Sequence, residues 1–421
     1  MLAFKQQSKM KSILFTGLLL VCVLSVSCAP SRRFDAQLKS IVKPHLFSII
    51  RWELRTIPDE LNQWVFGRQE KIDDEIGMVT EYFSATNRIN ALKSEIKANN
   101  SKSDLASLGA ELNQLQERKI ALEATVERIM EKQIARALAQ QGILNPVNRH
   151  ITLEVNFPPV NFELEKPPHL LVISPRDKIE SMREITLQQD ISLEVIEGIE
   201  NEVDNLGFSS LVVELGGLAT YPSFITNDAS LRFTIDTAVE EWLHQYLVFK
   251  PLGFLYLLDL TGLSRNYEIA TMNETLAGMV SQEIGSIIYE KYYSEYENSV
   301  NQKQTASSEF DFNREMREIR KTVDTYLAQG KIKRAEEFME QKRQYLASMG
   351  YYIRKLNQAY FAFHGTYADR PTSISPIGLE LKELRGQSTS LKDFLNTVAA
   401  MSSHQDLVAA LNKTRQKESI Q

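Results

Sequence analysis

Leu105, Leu112 and Val126 fall on a seven-residue repeat, and Leu108, Leu115, Leu122 and Ile129 follow the same repeat three positions on. Together they form the apolar seam of a paired helix. An earlier stretch carries Ile72, Ile76, Val79 and Phe83, then Ile89, Leu92 and Ile96. It is also helical in period, with a slip of phase between its halves. The segment "NNSKSD" at 99–104 holds turn and N-cap residues and no apolar anchor. The pattern over 58–141 therefore predicts an antiparallel helical hairpin. Its seam is expected either to pack on the rest of the chain or to take a coiled-coil partner through 59–141.

The period then shortens. "HITLEVNF" and "HLLVIS" alternate or run apolar with β-branched residues, among clustered prolines, and read as strands. "SSLVVELGGLATYPSF" adds another strand that ends in a Gly-Gly turn, and the stretch 179–207 between them reads as helical. The mixed region runs to about 234, and after "EEWLHQYL" helical periods resume: "YEIATMNETLAGMVSQEIGSIIYEKYY", runs over 310–349 and 351–363, "SLKDFLNTVAAM" and "HQDLVAAL". The polar stretch 301–309 reads as a linker, and the proline-punctuated segment 369–385 as a loop leading into a short helix. The expected fold class is α+β, mostly α: a small mixed sheet inside a central region, an N-terminal helical hairpin and a C-terminal helical region. The expected divisions are 1–28, 29–144, 145–300 and 301–421.

Composition refines the class more than the fold. A chain of 421 residues with 43% hydrophobic and 24% charged residues has the makeup of a folded globular protein. The net charge of −6, with no basic stretch interleaved with aromatics, argues against a nucleic-acid partner. Lys5, Lys9 and Lys11 precede the apolar run 13–26, which is shorter than the ~20 residues of a comfortable span, so 1–28 reads as an export signal. "LSVSC" ends that run in the manner of a lipobox, with Ser25 where the pattern wants Leu. Cys28 is thus the expected lipidation site, and an uncleaved or plainly cleaved signal is the alternative. The expectation is an exported chain held to the cell membrane at its N-terminus and facing away from the cytoplasm. Of the two cysteines only Cys28 follows the apolar run, so no internal disulfide is expected to support the fold.

Candidate chemistry is concentrated in "EEWLHQYL". Residues four apart share a helix face, so Glu240 and His244 project together and Glu241 lies on the adjacent flank. The text differs by one letter from H-E-x-x-H, in which two His hold zinc and the Glu serves as general base. A third ligand is available in "TMNETLAGMVSQEIG", where Glu274 has Ala277, Gly278 and Ser281 on nearly the same face. Small residues there would let the two helices approach closely. Thr237-Ala238-Val239-Glu240 also matches the capping box T-x-x-E, a reading of Glu240 that needs no metal.

The order "EEWLHQYL … PLG … MNETLAG", with "VVELGGLATYP" before it and "FAFHGTYAD" after it, resembles the exported bacterial metallopeptidases of the gluzincin type (HExxH…NExxA). The resemblance runs from about 156 to the C-terminus and is specific in the two motif helices. It implies a zincin-like region with zinc held by His244 and Glu274, Glu241 as general base, and a peptide or protein as substrate. Glu240 stands where the first His belongs. A carboxylate can ligate zinc, but it makes the site more anionic and crowds Glu241. The resemblance also suggests that "VVELGGLATYP" offers a strand edge to an extended peptide. His364 or Tyr367 would then stabilise an oxyanion, with His364 the alternative missing ligand and a helix-end role beside Gly365 the plainer reading. His45, His150, His169 and His404 have no partners at ligand spacing. Two functions remain open: a zinc-dependent peptidase, and an inactive descendant kept as a binding or scaffold lipoprotein of the envelope.

Overall fold

The structure, a computed structural model, describes residues 32–48, 74–98, 102–146, 156–296, 310–368 and 370–418. The signal segment with Cys28, the helical reading of 58–73, most of "HITLEVNF" and the linker 301–309 lie outside the described residues. The described chain is mostly helical with two small sheets.

The hairpin is present. Helices α2 (Glu75–Ala98) and α3 (Lys102–Gln140) run antiparallel, and α3, at 39 residues, is about 58 Å long. Arg88 pairs with Glu111 at 2.7 Å and Arg118 with Glu81 at 2.6 Å across the pair. The apolar seam divides by depth. Leu122, Val126 and Ile129 are buried in the main core with Val79, Tyr82 and Phe83, whereas Leu105, Leu108, Leu112 and Leu115 toward the tip are half-buried. The base of the hairpin thus packs on the rest of the chain. Loop 226–229 braces it as well, the Asp228 carbonyl accepting from Asn90 at 2.8 Å.

After β1 (Phe162–Leu164), strands β2 (His169–Ser174), β3 (Arg183–Leu187) and β4 (Ser209–Glu214) form an antiparallel sheet in the order β3-β2-β4. Its near-continuous apolar central strand is explained by cover on both faces. Leu171 and Ile173 pack under α1 (Arg32–Val42) and α4 (Leu193–Asn205), while Val172 faces Ala359 on the other side. The stretch 179–207, expected to be helical throughout, is strand over Arg183–Leu187 and helix only from Leu193. Pairing of "REITL" along β2 outweighs its local helical period. A second sheet, β1-β6-β5, joins β5 (Gly217–Leu218) and β6 (Ser223–Ile225), with β1 parallel to β6 and β5 at its edge.

Helices α5 (Leu231–Leu247), α6 (Pro251–Leu260) and α7 (Tyr267–Tyr292) carry the motifs. Pro251 opens α6 at its first turn, and Asn266 caps α7 by accepting from Glu268 N and Ile269 N. α5 and α7 pack closely, as small residues on α7 predict. Ala277 and Ser281 are buried, and a Cβ on Gly285 would lie 1.8 Å from Asp236 Oδ1. Helices α8 (Phe312–Ala328) and α9 (Ile332–Ser348) turn at Gly330, whose φ is +70°. The expected helix over 351–363 is realised only as α10 (Gln358–His364). Asn357 caps it, and the preceding Arg354 and Lys355, outside any helix, form ion pairs to Glu200 and Asp204. Helices α11 (Ile377–Gln387), α12 (Leu391–Ala399) and α13 (His404–Glu418) close the chain. One apolar cluster joins the hairpin base, the motif helices (Trp242, Leu243, Leu276, Val280) and these last helices (Leu381, Phe394, Leu411).

Candidate metal centre

Glu240, His244 and Glu274 converge: each offers a ligand atom, and these atoms lie within 4.8 Å of one another. The capping-box reading of Glu240 is corrected. α5 begins at Leu231 with Ser230 as N-cap, accepting from Phe233 N at 3.4 Å, so Thr237 is a buried residue within the helix. The apolar stripe Leu231, Ile235 and Val239 carries the helix past Thr237 on its N-terminal side. Freed from a capping role, Glu240 turns toward His244 and Glu274, and its buried Oε1 has no hydrogen-bond partner.

The imidazole is oriented from behind. His244 Nδ1 lies 2.9 Å from Asn273 Oδ1, an acceptor, which puts a proton on Nδ1 and turns Nε2 toward Glu274 Oε2 at 3.8 Å. That gap is too long for a hydrogen bond. It is close to the roughly 3.4 Å that separates two ligands each ~2.1 Å from a tetrahedral zinc. Tyr256 on α6 donates to the other Glu274 oxygen, Oε1, and so fixes the carboxylate plane. An orphaned carboxylate oxygen, an imidazole held by an amide oxygen, and a braced carboxylate are donors that suit a divalent cation.

The electrostatics point the same way. Burial, then the Glu274 charge, pushes Glu240 up to about 7, against smaller opposing contributions from His244, Arg370 and a Tyr367 hydrogen bond. Burial, then the charges of Glu240 and Glu274, holds Glu241 well above the usual carboxylate range. A cation beside Glu240 and Glu274 would remove two of the three causes acting on Glu241. Glu241 stands on the adjacent flank, under β5. A Cβ on Gly217 would lie 2.4 Å from its Oε1 and 2.6 Å from Thr237 Cγ2, so glycine is what lets that edge strand cross the helix there.

Tyr367 and His364 part company. Tyr367 lies beside Glu240 and Gly278, its ring under the Arg370 guanidinium at 4.2 Å, and its hydroxyl is held protonated by burial and the neighbouring carboxylates. The segment bearing it is tied down by Ala368 N donating to Thr275 Oγ1 at 2.9 Å, which assigns a role to the Thr of the "NET" motif. His364 is not part of the ligand cluster. Its ring packs on Tyr360, 4.3 Å between centroids, and on Phe363. Gly365 does cap α10, but with φ −83° rather than in the left-handed form.

Burial, then Arg370, depresses His364 to about 4. A depressed base takes up its proton more readily in the unfolded chain, so stability falls as pH drops from about 6.5 to about 4. His364→Phe, which keeps the ring contact and cannot titrate, should remove about 2 kcal/mol of that acid loss. Urea unfolding of both proteins at pH 7 and pH 4.5 measures the difference.

Several neighbours of the site were not singled out by sequence reasoning. Tyr256 lies in a run that reads only as a broken apolar segment, and its hydroxyl amid leucines was the available signal. Glu184 lies on β3, accepts from Ser181 at 2.6 Å and senses Glu274, but its stretch reads as helix. Comparison with known protein families, with curated proteins and with solved structures returns no match.

Proposed function

We propose that this chain is an exported, membrane-attached metallopeptidase-like protein of the gluzincin type, whose metal is zinc and whose substrate or ligand is a peptide. The observation that carries the reading is the convergence of Glu240, His244 and Glu274, with Glu240 Oε1 buried and unbonded. Glu240, His244 Nε2 and Glu274 Oε2 would hold the ion, and Asn273 and Tyr256 would orient two of those ligands. Zinc in such a site supplies Lewis acidity, polarising a carbonyl and lowering the pKa of water to about 7. Glu241 is the group that takes and returns a proton, and the Tyr367 hydroxyl is a donor for a developing oxyanion. The edge strand β5 passes directly over Glu241, where an extended peptide would lie.

One observation favours a second reading, an inactive peptidase fold kept for binding in the envelope. Three carboxylates crowd the site, and burial, then the charges of the other two, pushes Glu241 well above the usual carboxylate range. The deciding measurement is zinc per chain, by plasma mass spectrometry, on a chain beginning at Arg33. Near one zinc is expected, lost in His244→Ala and Glu274→Ala and bound about 10–100-fold more weakly in Asn273→Ala. Peptide hydrolysis that disappears in Glu241→Gln would establish the enzyme, and zinc without hydrolysis would leave the binding protein. No zinc after incubation with excess metal would defeat the enzyme and leave the inactive fold kept for binding.

A further inference from the structure

The chain that follows α10 brings a second functional group to the candidate metal centre besides Tyr367. It is tied down at several points. Ala368 N donates to Thr275 Oγ1 at 2.9 Å, and Thr372 Oγ1 donates to the His364 carbonyl at 2.6 Å. Arg370 N donates to the Tyr367 carbonyl at 3.0 Å, and Ser373 N to the Arg370 carbonyl at 3.2 Å. Arg370 therefore stands on a braced stretch of backbone, with its guanidinium centred 4.2 Å from the Tyr367 ring centroid. The same ring reaches the site. The point where a Cβ of Gly278 would lie is 3.9 Å from Tyr367 Cδ1 and 4.0 Å from Glu240 Oε1. Arg370 is exposed, and among the described residues its side chain donates no hydrogen bond and forms no ion pair. Arg320, which supports the same stretch from below, is by contrast fully engaged. It is buried, pairs with Asp324 at 2.7 Å and donates to the Phe361 and Thr372 carbonyls.

A guanidinium resting on an aromatic face keeps its N–H edge free, and that edge matches the two oxygens of a carboxylate. The surroundings make the charge matter. Glu240 and Glu274, with Glu241 beside them, would repel an anionic ligand, and a cation at the rim offsets that repulsion. We propose that Arg370 is the carboxylate-binding subsite of the candidate active site, and that it selects peptides carrying a carboxylate one or two residues beyond the carbonyl that meets the ion. The reach follows from the spacing. One aromatic ring separates the guanidinium from the gap beside Glu240, and an extended peptide covers that with one or two residues of ~3.5 Å each. The carboxylate is either the free end of the peptide or an acidic side chain next to the cut. Tyr367 then has two parts, its hydroxyl directed at chemistry and its ring holding the arginine. The inference rests on the metal reading above and names the class of peptide that reading leaves open.

Binding of small metal-directed probes tests this without any need for turnover. The full chain, loaded with zinc, is titrated calorimetrically at pH 7 with two matched pairs. The first is N-mercaptoacetyl-leucine and its C-terminal amide, and the second is the amides of N-mercaptoacetyl-glutamate and N-mercaptoacetyl-glutamine. In at least one pair the carboxylate member should bind about 10–100-fold more tightly than its neutral partner. A preference within the leucine pair identifies the free end of a peptide, and one within the second pair an acidic side chain. Arg370→Met should abolish the preference while leaving zinc content and the affinity for the neutral probes unchanged. Arg370→Lys, which keeps the charge without the planar fork, should restore part of it. Equal binding of all four probes by a chain that holds zinc, or binding of none, would overturn the inference and leave the zinc site standing. A preference that survives Arg370→Met would overturn it as well. A chain that holds no zinc would remove the metal reading and this inference together.

Discussion

Arg354→Ala should cost the protein about 3 kcal/mol, near the lower limit for breaking a buried ion pair because the guanidinium itself is one-third exposed. Its partner Glu200 is 2% exposed on α4. The carboxylate accepts from Arg354 Nη1 at 2.9 Å and Nη2 at 2.6 Å, and from Val212 N at 2.7 Å. Arg354 Nη2 also donates to the Val212 carbonyl at 2.9 Å. One side chain pair thus ties α4, strand β4 and the segment that leads into α10. Removing the arginine strands a buried carboxylate, with Lys355 at 3.5 Å as its remaining cation, and that stranding is the larger part of the cost. The double variant Glu200→Gln/Arg354→Met, which keeps an acceptor for Val212 N and buries no charge, should therefore lose less than Arg354→Ala alone. Urea midpoints at pH 7 check both, and a double variant as unstable as the sum of its parts would show that the pair is not coupled. The segment 365–372 starts directly after α10, so Arg354→Ala should also loosen Tyr367 over Glu240.

Much of this architecture is legible in the sequence, because long helices announce themselves by period. The hairpin, α7, α12 and α13 and the apolar strands β2 and β4 fall where their patterns place them. What is not legible is set by partners distant in sequence. The strand β3 exists because β2 lies beside it, and 351–357 is not helical because Glu200 and Asp204, some 150 positions earlier, draw Arg354 and Lys355 away from a helical path. The site divides in the same way. His244, Glu274 and Glu240 could be grouped because helical spacing and the two motif helices carry them. Tyr256 and Glu184 reach the same place from another helix and another sheet, and no local period records that. The capping reading of Glu240 failed for a simple reason. T-x-x-E is a cap only where a helix starts, and Ser230 starts this one seven positions before Thr237.

Glu240→His is the substitution with the most to say about function. It replaces the carboxylate at the first motif position with a neutral ligand and restores H-E-x-x-H in "EEWLH". It also removes one of the charges that, with burial and Glu274, raise the Glu241 pKa, and so favours the ionised base. Zinc affinity should rise by about 10–100-fold, the range by which changes around a metal site act. Calorimetric titration of parent and variant at pH 7 measures this. The comparison of peptide hydrolysis then separates the two readings of the protein. If the parent already cuts peptides in a Glu241-dependent manner, a Glu-His-Glu site is catalytically sufficient and the variant only strengthens it. If hydrolysis appears in Glu240→His and is lost again in Glu240→His/Glu241→Gln, the remaining machinery is intact and the carboxylate at 240 is what silences it. If the variant binds no zinc at all, the 4.8 Å cluster is only a polar contact between α5 and α7, and the metal reading fails with it.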